Sequence, residues 1–288
     1  MGNSETLNNS ELLFLYDAKR CNPNGDMDNE NKPRMDWDTG TNLVSDVRLK
    51  RYIRDYLETV KGEDLFVTNK AEDAENRVKQ LDDEGKKVSD LLGVRLFGAV
   101  TANEDADHLT GPVQFNWGYS LNKVELQETK TITSSFSSGA GVGKDYRVKY
   151  SFIAFSGGIN GLTAKDTGLD EDDVELFEEA VVKSIPLNRT RSKIGQTPRL
   201  YLRIELTNNQ SFLNDLRDYV SLEYKKKEEK IRNIDDHILN IAHLKEYLND
   251  NQDKIKTIHY WKDNKLEVKD DQWANLLDDF ATSKELNY

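Results

Sequence analysis

The sequence contains little of what secreted and membrane proteins require. Its 288 residues include one cysteine, Cys21, which excludes an intramolecular disulfide and a cysteine-based zinc site. No apolar run approaches the length of a membrane span, and residues 1–11 lack the charged and apolar regions of a signal peptide. Hydrophobic residues make up 36% of the chain and the mean hydropathy is −0.76. We therefore expect a cytoplasmic protein with no membrane partner.

The chain also lacks an overall excess of basic residues, since its formal net charge is −12. Phosphate binding needs cations, so the total argues at first against a nucleic-acid partner. The charges are unevenly distributed, however. Residues 180–204 contain six basic residues and no acid, and in residues 129–165 Asp145 is the one acid against five bases. Both stretches can therefore bind phosphate despite the acidic total.

The region from Leu12 to Leu57 organises the rest of the sequence. Leu12 to Lys19 is apolar and of strand length, which predicts a buried strand. Asparagine, proline and glycine follow at residues 22–25, so the chain is expected to turn into a long polar loop that runs to Asn42. A helix then begins after Ser45, a favourable N-cap residue.

The predicted helix is amphipathic. Its apolar arc carries Leu49, Tyr52, Ile53, Tyr56, Leu57 and Val60, and its other arc is cationic, with Arg48, Lys50, Arg51, Arg54 and Lys61. Most basic helix faces are solvated surfaces, and Asp55 and Glu58 are spaced to pair with Arg51 and Arg54. Arg48 and Lys50 have no acid four residues after them. The excess of positive charge favours a functional face.

Later segments predict three more strands and another helix. Residues 113–121 and 146–154 alternate apolar and polar positions, and so do residues 200–206, in which Leu200, Leu202, Ile204 and Leu206 are expected to face inward. Residues 170–184 predict an acid-started helix that Pro186 ends. The order β-α-β-β-α-β is that of an α+β, ferredoxin-like fold, which RNA-recognition modules share.

The remaining segments are expected to be additions to this core. Residues 69–112 predict a charged peripheral insertion that is partly helical, and residues 207–288 a mostly helical extension packed on a core of residues 12–206. Residues 224–230 carry charges of both signs, which is typical of a solvated helix face. Residues 258–268 predict a hairpin over Asp263 and Asn264, and residues 273–280 a closing helix.

Several motifs together resemble the CRISPR-associated Cascade backbone subunit, in the type I-B branch of the RAMP superfamily. They are the apolar strand followed by NPNGD, the loop motif KPRMD, DTG, and then LVSDVRLKRYIRDYL. Further similarity follows in order at LFG (96–98), TGPVQF (110–115), KDYRV (144–148) and NRTRS (188–192). The resemblance spans roughly residues 12–206 and rests mainly on the first block.

The resemblance gives the segment between the two middle strands a role. Residues 122–145 are small, polar and glycine-rich, which is typical of a mobile hairpin loop. In the family, a β-hairpin thumb lies here and folds over the guide RNA, which implies that Phe136 contacts a displaced base and that Lys130 and Lys144 contact phosphates. Such stacking tolerates any base sequence.

Three other patterns in the sequence do not complete a known type of site. GAGVGK is not a phosphate loop, because Ser138 and Asp145 occupy positions that require glycine and serine or threonine. Residues 26–37 do not complete a calcium loop. The four histidines, His108, His237, His243 and His259, lack metal-ligand spacing. Metal-assisted RNA cleavage by Asp26, Asp28, Asp36 or Asp38 stays open as an alternative, as does a stand-alone RRM-like RNA-binding protein.

We expect an RNA-binding subunit that is not an enzyme and has no metal or cofactor. The resemblance implies that copies polymerise head to tail along one CRISPR RNA, with other Cascade subunits, and that target DNA binds through the guide. A heterologous contact that does not close gives such a filament. The residues expected to bind RNA also include the strand exit and both acid-poor stretches: Lys19, Arg20, Asn22, Asn24, Arg34, Arg48, Lys50, Arg51, Arg54, Arg147, Arg189, Arg191 and Lys193.

Overall fold

The structure is a computed structural model that describes residues 7–68, 71–100, 108–133, 142–280 and 282–288. For residues 108, 128–133 and 142–143 it describes the backbone alone. Within these ranges no helix combines the length and the apolarity that crossing a bilayer requires.

The chain folds into a mixed α+β structure. The strands are β1 (Ser10–Cys21), β2 (Gly25–Asp26), β3 (Lys32–Pro33), β4 (Met35–Asp36), β5 (Thr41–Val44), β6 (Gly98–Val100), β7 (His108–Thr110), β8 (Val113–Phe115), β9 (Gly118–Ser120), β10 (Leu126–Thr133), β11 (Val142–Ile159), β12 (Gln196–Leu206), β13 (Ser221–Tyr224), β14 (His237–Asn240), β15 (Ile255–Lys262) and β16 (Ser283–Glu285). The α-helices are α1 (Asp46–Tyr56), α2 (Ala74–Asp83), α3 (Leu92–Phe97), α4 (Gly161–Thr167), α5 (Glu171–Leu187), α6 (Ala242–Asp250) and α7 (Gln272–Asp279).

One large sheet runs through the molecule in the order β16-β15-β12-β1-β11-β9-β5-β4, with β8 and β10 also paired to β11. Strand β1 lies at its centre and is antiparallel to both neighbours, so that Phe14 is opposite Phe155 of β11 and Tyr201 of β12. The β15–β16 pair is parallel, which makes the sheet mixed.

Both faces of β1 are covered. Leu12, Phe14 and Tyr16 point into a core that helices α1 and α5 complete, whereas Leu13 and Leu15 point into a second core on the opposite face. Because successive strand residues point to opposite faces, a strand buried on both faces is apolar throughout. This explains the run LLFLY, which the sequence correctly assigns to a buried strand.

The first helix begins as expected. Ser45 is its N-cap residue, and Leu49, Tyr52, Ile53, Tyr56 and Leu57 are buried, although Val60 is half exposed. The expected helix at residues 170–184 is α5, whose N-cap Asp170 accepts a hydrogen bond from the amide of Asp173. Pro186 does not end the helix, because it lies in the last turn.

Two of the alternating patterns predict burial incorrectly. Residues 113–121 form two short strands, β8 and β9, and Trp117 between them is 43% exposed while Ser120 is buried. In β12 the positions expected to face outward are also enclosed, since Tyr201 and Arg203 are 0% and 2% exposed. The reason is that α5 covers this face of β12.

The expectation of a mostly helical tail is wrong. Strand β13 pairs with β14, and residues 228–230 form a 3₁₀ turn where a helix was expected. No hairpin forms within residues 258–268, because β15 pairs with β12 and so extends the main sheet. The expected closing helix is present as α7. Peripheral residues 74–83 are helical, as predicted.

The two arms of the expected thumb hairpin are paired. Strands β10 and β11 are antiparallel, with Leu126 opposite Val148 and Thr133 opposite Val142. Phe136 lies outside the described residues. Lys130 is on β10, but its side chain is not described.

Candidate nucleic-acid interface

The loop between α5 and β12 packs directly against the end of β1. The amide of Lys19 donates to the carbonyl of Gly195 at 2.8 Å, and the amide of Asn22 donates to the carbonyl of Ser192 at 2.8 Å. Gly195 has φ +112°, and a Cβ there would lie 2.4 Å from the Lys19 carbonyl oxygen. Glycine is required here on both counts, and it lets the acid-poor loop approach the end of β1.

Lys193 fastens this loop to the turn after β1. Its Nζ donates to the carbonyls of Asn22 at 2.6 Å and Pro23 at 3.2 Å. Burial, together with the nearby positive charge of Arg48, lowers the pKa of this amine to about 8. The residue is therefore a desolvated cation whose contacts are neutral carbonyls.

The two asparagines of the turn shape the backbone. Asn22 is buried, and its Nδ2 donates to the carbonyl of Asn31 at 2.7 Å. The Oδ1 of Asn24 accepts from the amide and the hydroxyl of Ser45 at 2.8 and 3.0 Å. The turn is thereby tied to the start of α1. Both asparagines, expected from the sequence to contact RNA, are engaged in these internal contacts.

The cationic arc of α1 does not form one exposed stripe. Lys50 is 8% exposed, and its Nζ donates to Gln114 Oε1 at 2.8 Å and contacts Asp46 at 3.3 Å. The helical pattern places it on the solvent side, but Gln114 of β8 and the ring of Phe97 lie against it. Arg51 pairs with Asp55 at 2.7 Å, as its spacing predicts.

The other two arginines of α1 lie over aromatic rings. The guanidinium carbon of Arg48 is 4.3 Å from the ring centre of Tyr52, and its Nε is buried with no hydrogen-bond partner in the described part of the chain. The guanidinium carbon of Arg54 is 5.0 Å from the ring centre of Phe97. Burial, followed by repulsion from Arg51, lowers the pKa of Arg54. Each cation would therefore be stabilised by a bound anion.

The base of the β10–β11 hairpin joins the same region. Arg147 donates to the carbonyls of Arg20 and Arg191 at 3.0 and 3.4 Å and pairs with Asp145 at 2.7 Å. Arg191 is 64% exposed at its side chain and lies 3.6 Å from Asp145. Asp145, the single acid of its stretch, thus positions two arginines.

A second group of contacts holds the hairpin against the loop after β1. Lys144 pairs with Glu30 at 2.9 Å, and the hydroxyl of Tyr146 donates to the same carboxylate at 2.8 Å. The hydrogen bonds from Lys144 and Tyr146 lower the pKa of Glu30 to about 2. Lys144 is therefore neutralised by a partner that the sequence did not indicate.

The remaining candidate cations lie around this region with different surroundings. Lys19 is exposed and its Nζ donates to Asn233 at 3.1 Å, and Arg20 is exposed with φ +53°. Arg34 pairs with Asp26 at 3.2 Å and lies 5.9 Å from the Trp117 ring. Arg189 is exposed and donates to the carbonyl of Pro186 at 3.3 Å.

The loop aspartates do not form a metal centre with one another. Asp26 is paired with Arg34, and Asp36 accepts from the amide of Asp38 at 3.0 Å. Hydrogen bonds, chiefly from Thr39, lower the pKa of Asp36. Among the described residues no group of three His, Cys, Asp or Glu side chains is arranged to hold a metal ion.

The histidines with described side chains have structural or surface positions. His237 is buried and hydrogen-bonded to the Tyr150 hydroxyl at 2.9 Å. His259 is buried beside Arg203, and His243 is exposed.

Residues that the sequence did not single out complete this surface. A cleft of about 270 Å³ opens beside the loop, lined partly by Pro186, Ile194 and Gln196. Gln196 Nε2 donates to the Tyr52 hydroxyl at 3.1 Å and so connects the cleft to α1. The sequence signal that marks this segment is the absence of acids across residues 180–204.

Known proteins are similar to this chain over most of its length. The sequence model of the family described as CRISPR-associated protein Cas7 matches residues 8–242. A curated protein of Haloferax volcanii, named CRISPR-associated protein Cas7, is 33% identical, and the match covers 94% of this chain and 94% of that protein.

Solved structures are similar in fold. A chain of a structure titled CRISPR RNA-guided surveillance complex matches with a TM-score of 0.57 and 15% identity, covering 97% of this chain and 95% of that one. A chain of a second such complex, described as pre-nicking, matches with a TM-score of 0.58 and 12% identity, covering 97% and 96%. At these identities the likeness is one of fold.

Proposed function

This chain belongs to the Cas7 family of CRISPR-associated proteins, and on that premise we propose that it is the RNA-binding backbone subunit of a type I-B Cascade surveillance complex. Copies would assemble head to tail along one CRISPR RNA in the cytoplasm and present it for pairing with target DNA. Other Cascade subunits would complete the complex. Destruction of the target would need a separate nuclease-helicase.

One observation carries the proposal. Cations from separate segments meet around the end of β1: Lys19 and Arg20 on the strand, Arg48 on α1, Arg147 on the hairpin, and Arg189, Arg191 and Lys193 on the loop before β12. Arg147 and Arg191 share Asp145, whereas the described contacts of the others are carbonyl oxygens or an aromatic ring: Lys19, Arg48, Arg189 and Lys193. Phosphates of a bound strand would supply the missing negative charge, which makes binding independent of base sequence.

The fold supports the same reading. In the centre of the sheet the order β12-β1-β11-β9 is antiparallel throughout, with α1 and α5 packed on one face. We propose that this is a ferredoxin-like core of residues 12–206, with residues 69–112 as an insertion, residues 122–145 as the thumb, and residues 207–288 as an extension.

A non-enzymatic role follows from the family and from the surroundings of the loop aspartates. A guide-holding subunit needs position and charge, and the sequence would be read by pairing between guide and target, as in other RNA-guided effectors. Asp26 is already neutralised by Arg34 at 3.2 Å, which does not favour a metal-dependent ribonuclease.

Mass photometry with synthetic RNAs of increasing length and unrelated sequence tests the proposal. Particle mass is expected to grow stepwise with RNA length, and a gel is expected to show intact RNA with or without Mg²⁺. Double replacement Arg189→Ala and Arg191→Ala is expected to weaken assembly. Arg232→Ala, which removes an exposed pair with Glu125, is the matched control.

Three results would contradict it. One fixed stoichiometry at every RNA length would exclude the filament. Preference for one short motif by a monomer would favour a stand-alone RNA-recognition protein. Shortened RNA that requires Mg²⁺ and is lost with Asp26→Ala would favour a ribonuclease.

A further inference from the structure

A second cleft lies at the start of β1, far from the cation-rich end of that strand. Glu11, the second residue of β1, lines this cleft, and Cys21 is the last residue of the strand. At a rise of about 3.3 Å per residue, these two positions are roughly 33 Å apart. Thr110, Pro112 and Gln114 also line the cleft. They belong to the TGPVQF motif, which the proposed RNA surface does not include.

The carboxylate of Glu11 has no cationic partner. Its Oε1 accepts a long hydrogen bond from the amide of Leu213 at 3.4 Å. Its Oε2 lies 3.4 Å from the point that a Cβ on Gly158 would occupy, so the glycine leaves space beside this oxygen. In the part of the chain that the structure describes, no ion pair joins Glu11 to a lysine, arginine or histidine.

The surroundings of Glu11 disfavour its negative charge. Burial raises the pKa of this carboxyl from 4.5 to about 7, assisted by the nearby Asp215 and opposed by the hydrogen bond from Leu213. Tyr247 is the other titratable group that interacts with it. Arg217 is already bonded to Asp215, with its Nε 3.0 Å from Oδ1. A bound cation would therefore stabilise the ionised form of Glu11.

The residues that line the cleft disfavour other charged ligands. Those that the structure describes include no lysine, arginine or histidine, so a phosphate would find no cation there. A divalent metal requires about six oxygen ligands, and no three His, Cys, Asp or Glu side chains among the described residues are grouped to hold one. An organic cation, by contrast, is satisfied by one carboxylate and neutral acceptors.

The cleft also offers apolar surface for an alkyl chain. Its volume of about 330 Å³ lies at the lower end of the range of about 300–1,000 Å³ for ligand pockets. Pro112 and Ile159 line it, and so does Phe212, which is 61% exposed. The face of an aromatic ring attracts ammonium and guanidinium groups. The lining thus suits a small ligand that carries a cation on an alkyl chain.

The walls of the cleft are held in place by hydrogen bonds. Asn9 is buried, and its Nδ2 donates to the carbonyl of Ser211 at 3.0 Å while its Oδ1 accepts from the amide of Gly161 at 2.9 Å. The amide of Asn160 donates to the carbonyl of Pro112 at 3.0 Å. A ligand therefore does not have to order these segments when it binds.

We propose that this cleft binds an alkylammonium or alkylguanidinium group, whose cation pairs with Glu11 and whose alkyl chain lies against Pro112 and Phe212. Two sources carry this chemistry, a free polyamine and a lysine or arginine side chain of a neighbouring copy. The inference goes beyond the proposed function, because the cleft lies outside the RNA surface and its ligand is a cation.

Isothermal titration calorimetry of the full-length protein with putrescine and agmatine tests the site. Saturable binding is expected at pH 8, and Glu11→Gln is expected to weaken it about tenfold. Glu246→Gln is the matched control, because it removes the same charge at a side chain that is 74% exposed. Gly158→Ala keeps the carboxylate but adds a methyl group beside Oε2, and it is expected to weaken binding as well. Thermal melting checks that both cleft variants are folded.

The pH dependence provides a second measurement of the same site. Since the pKa of Glu11 is about 7, the carboxyl group is mostly protonated at pH 6 and mostly ionised at pH 8. A cation binds the ionised form, so amine affinity is expected to rise about tenfold over this interval. Glu11→Gln is expected to abolish this rise, and Glu246→Gln is expected to retain it.

Assembly on long RNA identifies the source of the cation. A neighbouring copy is the source if Glu11→Gln raises the protein concentration needed for assembly about threefold or more, with no change in binding to an RNA that holds one copy. Unaltered assembly together with amine binding that requires Glu11 assigns the site to a free polyamine.

Two results would overturn the inference. The first is equal behaviour of Glu11→Gln and Glu246→Gln both in amine binding and in assembly. The second is competition by Mg²⁺ at the amine concentration, which would assign the carboxylate to a metal. If the unchanged protein binds no RNA, the proposed function fails, and calorimetry alone then decides whether the cleft binds a cation.

Discussion

The Nζ of Lys193 lies 2.6 Å from the carbonyl oxygen of Asn22, and the amide of Asn22 in turn donates to the carbonyl of Ser192. These reciprocal contacts fix the loop that carries Arg189 and Arg191 beside the exit of β1. The amine is buried beside neutral acceptors and a neighbouring arginine, and these surroundings disfavour its positive charge. A bound phosphate would stabilise that charge.

RNA binding is expected to weaken as the pH rises from 7 to 9. The pKa of Lys193 is lowered to about 8, so its positive charge is lost in this interval, whereas that of an ordinary lysine, 10.5, lies above it. Loss of one charged contact is expected to raise Kd about 3–10-fold. Lys193→Arg keeps the charge at pH 9 and is expected to flatten the profile measured by fluorescence anisotropy.

Folding stability should change in the opposite direction. Because the pKa of Lys193 is lower in the folded protein, the unfolded chain binds more protons between pH 8 and 10.5, and this group favours folding as the pH rises. Lys19→Arg, at an exposed neighbouring lysine, controls for the substitution itself. An unaltered pH profile in Lys193→Arg would contradict the assignment.

Arg189 and Lys50 are expected to respond differently to replacement by alanine. Arg189 is exposed, so Arg189→Ala is expected to reduce the slope of log Kobs against log[salt] by about 0.7, with little change in stability. Lys50 is buried and bonded to Gln114 at 2.8 Å. Lys50→Ala is expected to destabilise the fold by about 1.5–3 kcal/mol, as for hydrogen bonds to charged groups, and to leave the slope unchanged.

Salt titration and urea unfolding measure these two effects separately. A reduced salt slope for Lys50→Ala would show that Lys50 reaches the RNA after all. A slope for Arg189→Ala equal to that of the unchanged protein would remove Arg189 from the interface.

The buried pair of Arg203 and Glu178 is expected to be important for stability. Their side chains are 2% and 1% exposed, and Arg203 Nε lies 2.8 Å from Glu178. Arg203→Met would leave a carboxylate buried without its partner, which is expected to cost about 3–5 kcal/mol. Adding Glu178→Leu should recover much of that loss.

Urea unfolding measures this effect, and Lys284→Met is the control. Lys284 and Glu175 form a pair in which both side chains are 53% exposed, and its loss should cost less than about 1 kcal/mol. If Arg203→Met lowers the free energy of unfolding no more than Lys284→Met does, the buried pair of Arg203 and Glu178 is not important for stability.

Acid is expected to destabilise the contact between the C-terminal region and the sheet. Burial lowers the pKa of His237 from 6.5 to about 4. Between these two pH values the unfolded chain therefore binds a proton at this histidine and the folded protein does not. The stability contributed by this group is present above pH 6.5 and is lost as the pH falls towards 4. His237→Gln should reduce this fall in melting temperature, and the exposed His243→Gln should not.

The main elements could be predicted because the relevant forces are local. The run LLFLY predicts a buried strand, Ser45 marks the start of α1, and Asp170 caps α5. Three other features depend on distant segments. Trp117 lies away from the core, Tyr201 and Arg203 are buried, and β15 pairs with β12. Periodicity within one segment carries no information about what covers it.

The candidate site divides in the same way. Acid-poor stretches mark Arg147, Arg189, Arg191 and Lys193 by composition alone. Helical position could not distinguish Lys50 from Arg48, because Lys50 is buried against Gln114, which lies 64 residues further along the chain. Glu30 and Gln196 could not be found at all, since their partners lie far away in sequence.

By itself the sequence determined the family, the central strand and the segments that carry the positive charge, because motifs, apolar runs and acid-free stretches are properties of contiguous residues. Tertiary structure decided which cations meet at the end of β1 and which of them pair with acids distant in sequence, and it formed the cleft beside Gln196. Contacts such as those of Lys19 with Gly195 and of Lys144 with Glu30 join segments more than a hundred residues apart, and their geometry is set by the packing of the whole sheet.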